Sequence, residues 1–101
     1  MGVKPVVERN QTFEDYARLQ AASAENLANF LRADLELGFT FANLAKTERQ
    51  LGSIEGFERN KRNAARAVDA VRAFEKRLTD DEMRSDIKES CAELERVLAA
   101  L

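Results

Sequence analysis

Histidine and tryptophan are absent from this 101-residue chain, and cysteine, proline and tyrosine occur once each. Without histidine the side chain that titrates nearest neutrality is missing, and with it the usual general base, triad member and ligand of catalytic zinc or iron. The single thiol, Cys91, excludes an internal disulfide, and a chain of this size without one suits a reducing compartment. A cytoplasmic setting is therefore expected. No apolar run approaches the ~20 residues of a membrane span, and Val6 stands where N-terminal myristoylation needs Ser or Thr, so no membrane association is expected either. No glycine-rich phosphate loop is present.

What remains is a composition of 45% hydrophobic and 34% charged residues, which suits one helical domain with one core. The charge is unevenly placed: residues 1–57 sum to −2, residues 58–77 to +4 and residues 78–101 to −4. An acidic last helix lying near a basic one would neutralise this internally. Nucleic-acid domains carry a strong basic excess, whereas this chain has a net charge of −2 and a pI near 5.2, so nucleic acid is not the expected partner.

The order of elements follows from periodicity and caps. Residues 1–11 hold the only proline and no helical period, and read as a loose N-terminal arm. Thr12, followed by Glu14 and Asp15, offers a capped start, and Phe13, Tyr16, Ala17, Gln20, Leu27 and Leu31 share a face. This predicts a helix over 12–31. A shift of apolar face at Arg32-Ala33-Asp34 predicts a break, because an unbroken helix from 12 to 51 would run ~60 Å, too long for a compact domain unless the chain dimerises. A second helix over 34–51 would be the central, most buried one, with Leu37, Phe41, Leu44 and Leu51 clustered on one side and Leu35, Gly38, Ala42 and Ala45 widening the arc. Leu51-Gly52-Ser53 ends it with a C-terminal glycine and starts the next with an N-cap serine. A third helix over 54–78 puts Ile54, Phe57, Ala64, Val68, Val71, Phe74 and Leu78 inward and Arg59, Arg62, Arg66 and Arg77 in a basic stripe outward. Thr79, with three acids after it, caps a fourth helix over 80–100, whose inward set Met83, Ile87, Cys91, Leu94, Leu98 and Leu101 occupies a narrow arc. The expected fold is an all-α, four-helix antiparallel bundle built from two helical hairpins.

Candidate chemistry is sparse. Tyr16 and Cys91 sit on inward faces and read as packing; Glu48 and Lys61 lie one hairpin apart and read as a structural ion pair. Glu55 and Glu58 form an isolated acidic pair with no partner pair downstream, so no metal, cofactor or catalytic residue is assigned. A small helical enzyme or a metal-carboxylate or nucleotide-binding protein is the alternative to a non-catalytic interaction or structural module. For the module, the partner-binding candidates are Phe39, which points away from the main apolar arc, and Arg59, Arg62, Arg66 and Arg77. Phe30, Phe39 and Leu19 lie at or beyond the edges of their inner faces, which points to a homodimer.

Leu37-Gly38-x-x-Phe41 resembles the Leu-Gly-x-x-Tyr element of the tetratricopeptide repeat, where the glycine permits close helix approach. The resemblance covers a single helical hairpin, with no early tryptophan and no recurring 34-residue period. It implies a protein-binding scaffold and transfers no binding residue.

Overall fold

The computed structural model describes the backbone of residues 5–101, with side chains at Arg18 and from Ser23 onward. Among the described residues the chain is all-α. Helix α1 spans Pro5–Gln50, α2 spans Ile54–Phe74 and α3 spans Asp81–Ala99, with a 3-10 turn at Glu75–Arg77. Helix α2 folds back antiparallel along the C-terminal half of α1, so that Gly56 meets Glu48 and Ala67 meets Gly38. Helix α3 returns beside both, with Leu94 also against Gly38.

Three helices stand where four were expected, because residues 12–31 and 34–51 belong to one helix. Arg32 and Ala33 are good helix formers, and no glycine or proline interrupts the stretch between them and Gly38. The objection from length falls with the assumption of compactness: the principal extents are 69 × 29 × 15 Å. Nor does α1 start at Thr12. It starts at Pro5, where a missing N–H costs nothing in the first turn and the fixed φ suits a helix. Residues 5–11, read from sequence as an arm, are its first turns. Residues 1–4 and the side chains of Phe13, Tyr16, Ala17, Leu19 and Gln20 lie outside the described residues.

The buried stripe of α1 also differs from expectation. Ala28, Leu31, Leu35, Gly38, Ala42 and Ala45 face the core at steps of three and four, whereas Leu37 is 51% and Leu44 43% exposed and Phe41 is half-buried. Close approach of the helices explains the exchange. A Cβ built on Gly38 would stand 2.9 Å from Cβ of Ala67 and 2.5 Å from Cδ2 of Leu94, so the seam takes small side chains and larger ones are carried to its flank. Lys46 and Gln50 are exposed, as their positions in the sequence suggested.

The hairpin turn follows the sequence closely. Gly52 adopts φ +84, the left-handed conformation that glycine alone accepts freely. The Ser53 N–H donates to the carbonyl of Glu48 at 2.8 Å and the Gly52 N–H to that of Arg49 at 3.1 Å, closing the C-terminus of α1. The Ser53 hydroxyl oxygen then accepts from the Gly56 N–H at 3.2 Å and caps α2. From α2, Ala64, Val68 and Val71 enter the core, but Ile54, expected inward, is 73% exposed. The helix gives way to the 3-10 turn after Phe74, and Leu78 is buried beyond it. Helix α3 is capped by Asp80 rather than Thr79, its carboxylate accepting from the Met83 N–H at 2.9 Å. Ile87, Cys91 and Leu94 are fully buried, with Met83, Leu98 and Leu101 packed beside them.

A candidate interaction groove

Successive residues along a helix turn by ~100°, and α1 uses three adjacent stripes for three purposes. The middle stripe, through Leu31, Leu35 and Ala42, is core. The stripe one residue later carries Arg32, Glu36 and Phe39 and lies toward α3, where these residues and Asp86, Ile87 and Ser90 line a cleft of about 350 Å³. The stripe one residue earlier carries Phe30, Leu37, Leu44 and Leu51, spaced by seven, and these are 59%, 51%, 43% and 76% exposed. It lies on the side of the α1–α2 pair away from α3.

Between that stripe and α2 runs a groove of about 320 Å³ lined by Leu37, Phe41, Ala67 and Ala70, with Asp34, Asn63 and Arg66 at its rim. Arg66 brings a positive charge to the rim, and Arg59 and Arg62 are also exposed on α2. The wall on α1 carries no charge from Leu37 to Ala45. Two exposed threonines of this helix turn their hydroxyls back on its backbone, Thr40 donating to the Glu36 carbonyl at 3.0 Å and Thr47 to the Asn43 carbonyl at 3.1 Å. Depletion of charge around large exposed apolar side chains is the composition of an interface centre.

The residues singled out from sequence do not form one site. Arg66 stands at the groove rim, with Arg59 and Arg62 exposed on the same helix outside its lining. Arg77 lies at the far end, stacked over the Phe74 ring at 4.9 Å, and Phe39 is half-buried on the opposite side of α1, packed against the core. No ion pair joins Glu48 to Lys61: Lys61 and Arg49 instead flank the Phe57 ring at 5.5 and 5.4 Å, cations on the face of an aromatic quadrupole. What sequence reasoning missed is the seven-residue repeat of Phe30, Leu37, Leu44 and Leu51. Its regular spacing and the uncharged run beside it were the available signals.

Among the described residues, Arg72 and Cys91 have shifted pKa values. The Arg72 guanidinium donates to Glu95 of α3 and to Glu75 at 3.4 Å, and the Glu95 bond raises its pKa above the ordinary value. Burial pushes the Cys91 thiol up, against a smaller opposing effect from Arg72. Both belong to the α2–α3 seam, away from the groove. Among the described residues no three of cysteine, aspartate and glutamate converge as a metal site, and no helix is long and apolar enough to cross a membrane. No protein-family model, curated protein or solved structure matches this chain.

Proposed function

We propose that this protein is a non-catalytic interaction module whose working surface is the α1–α2 groove. One observation carries the reading: four large apolar side chains, Phe30, Leu37, Leu44 and Leu51, stand exposed at seven-residue intervals, and Leu37 among them lines the groove. A seven-residue apolar repeat matches the seam of a second helix lying alongside the first. Arg66 at the rim, with Arg59 and Arg62 exposed on the same helix, would select a helix with acidic residues on that flank.

The tetratricopeptide likeness joins this proposal through Gly38, whose missing side chain lets α1 and α2 close on one another. Phe39 and Arg77 drop out of the proposed surface because they lie elsewhere. A cytoplasmic setting goes with the reading, on the ground of the single thiol. The test is photo-crosslinking in the cell that makes the protein, with Leu37→p-benzoylphenylalanine and Leu44→p-benzoylphenylalanine on the exposed stripe, Leu37 lining the groove, and Lys88→p-benzoylphenylalanine on exposed α3. A protein adduct from positions 37 and 44 and none from position 88 is expected. Absence of any adduct at 37 and 44, or equal adducts at all three, overturns the proposal.

A further inference from the structure

Building on the groove reading, we propose that the occupant is the same stripe of a second copy of this chain, the C-terminal halves of the two α1 helices running antiparallel about a two-fold axis between Thr40 and Phe41. Phe30 and Leu51 stand equally far from that axis, and so do Leu37 and Leu44. Phe30 of each copy then meets Leu51 of the other, and Leu37 meets Leu44. The four side chains that are 59%, 51%, 43% and 76% exposed in the single chain cover one another. Residues 30–51 supply both halves of the seam, ~32 Å of helix at ~1.5 Å per residue, and the stripe faces away from α3, so the described part of the chain leaves it open to a partner.

The uncharged stretch of α1 has the same centre. It runs from Leu37 to Ala45, and its middle residue is Phe41. A seam centred there lays the uncharged stretch of one copy against the uncharged stretch of the other, which gives the contact a charge-depleted middle. Glu48 takes no part in it. A Cβ built on Gly56 would stand 2.6 Å from the Glu48 Oε2, so this carboxylate lies against α2 of its own chain.

Charge complementarity fits the same axis. Asp34 lines the groove. It stands ~60° round the helix from Leu37, on the side of Gly38 and so of α2. The two-fold axis carries it to the level of Thr47 on the other copy. The contacts of Gly56 with Glu48 and of Gly38 with Ala67 set the levels of α2 along α1, and they put Arg59 near the level of Ala45, within ~3 Å of that point along the helix. Arg59 precedes Asn63 and Arg66, both at the groove rim, by four and seven residues and therefore shares their face of α2. Asp34 of each copy thus arrives beside Arg59 of the other, and symmetry makes the pair twice. Among the described residues neither side chain has an ion pair within its own chain, so both are free to make this one.

Other registers lose one of these matches. A parallel, in-register pair opposes Asp34 to Asp34 and leaves it ~17 Å along the helix from Arg59. An antiparallel pair displaced by seven residues sets Leu51 against Ser23, or carries Phe30 past Gly52, where α1 has ended. Misplaced charges and uncovered apolar side chains fix the register of such seams through the cost of the wrong partner.

Charge exchange tests the pairing in the full chain. Sedimentation velocity at micromolar concentration is expected to show a dimer, weakened about tenfold by Asp34→Arg and by Arg59→Asp, each of which opposes like charges, and restored in the double variant. Leu37→Asp is expected to give a monomer. Circular dichroism of each variant checks that helix content is kept. Disulfide trapping reports direction: an equal mixture of Leu37→Cys and Leu44→Cys chains is expected to cross-link on oxidation, whereas either chain alone is not, because its two thiols stand ~10 Å apart along the seam, beyond the reach of a disulfide. A monomer at ~100 μM, about a hundred times a micromolar dissociation constant, overturns the inference. So does a double variant no tighter than the singles, or cross-linking of either chain alone as readily as the mixture. A monomer that photo-crosslinks a different protein from positions 37 and 44 leaves the groove reading standing, whereas a monomer with no adduct at either position removes that reading as well.

Discussion

The Gly38 backbone of α1 packs against the methyl of Ala67 on α2, so closely that a Cβ on the glycine would stand 2.9 Å from the alanine's. Two effects of Gly38→Ala oppose each other. Alanine gains ~1 kcal/mol in helix propensity, but Ala67 Cβ is fixed to its helix and cannot turn aside, as the tip of Leu94 can. Overpacking of ~1–3 kcal/mol should win. Urea unfolding is expected to show a lower midpoint with an unchanged slope; a rise in stability would mean that the helices can separate at no cost.

The exchange of core and flank on α1 predicts unequal truncations. Leu31 is fully buried and Leu44 is 43% exposed, so at protein concentrations low enough to keep copies apart Leu31→Ala should cost ~2–5 kcal/mol and Leu44→Ala less than half as much. Arg62→Ala on the exposed face of α2 should stay within ~0.5 kcal/mol. Equal losses for the two leucines would refute the assignment of faces.

Arg72 holds two acids of different exposure. Glu75 is 8% exposed, so Arg72→Ala strips a buried carboxylate of its cation and should cost ~1–3 kcal/mol. Glu95 is half-exposed, and Glu95→Gln should cost under ~1 kcal/mol. Thermal melts of the two variants measure the difference, and a larger loss for Glu95→Gln would show that the pair between helices dominates.

Cys91 is fully buried and its thiol is pushed up by that burial. Folding therefore holds the proton more tightly than the unfolded chain does. Stability linked to this group is fully present below the ordinary thiol range near ~8.5 and declines as pH rises beyond it. Alkylation at pH 8 should follow the rate of unfolding rather than that of an exposed thiol; fast labelling of the folded chain would contradict the burial.

The sequence made some of this plain and concealed the rest. Local chemistry was legible: Gly52 and Ser53 announced the hairpin, and the narrow apolar arc of Ile87, Cys91 and Leu94 named the inner face of α3. The face of α1 was not, because large apolar side chains were taken to mark the core. Where two helices touch closely the core is made of Gly38, Ala42 and Ala45, and bulk moves aside to Leu37 and Leu44. The false break at Arg32-Ala33-Asp34 came from demanding a compact molecule, although nothing local stops the helix there. The groove arginines were found as a stripe, but their apolar counterpart was spent on the supposed core.

Because the seam with α2 and the exposed repeat occupy neighbouring residues of one helix, each substitution along α1 addresses one of them and largely spares the other. Changes at Ala42 or Ala45 alter how the chain holds itself; changes at Leu37 or Leu44, one position away from such sites, alter what it can hold. Affinity and stability are separable here at single-residue resolution, and a new binding preference can be written on this helix without rebuilding the protein that carries it.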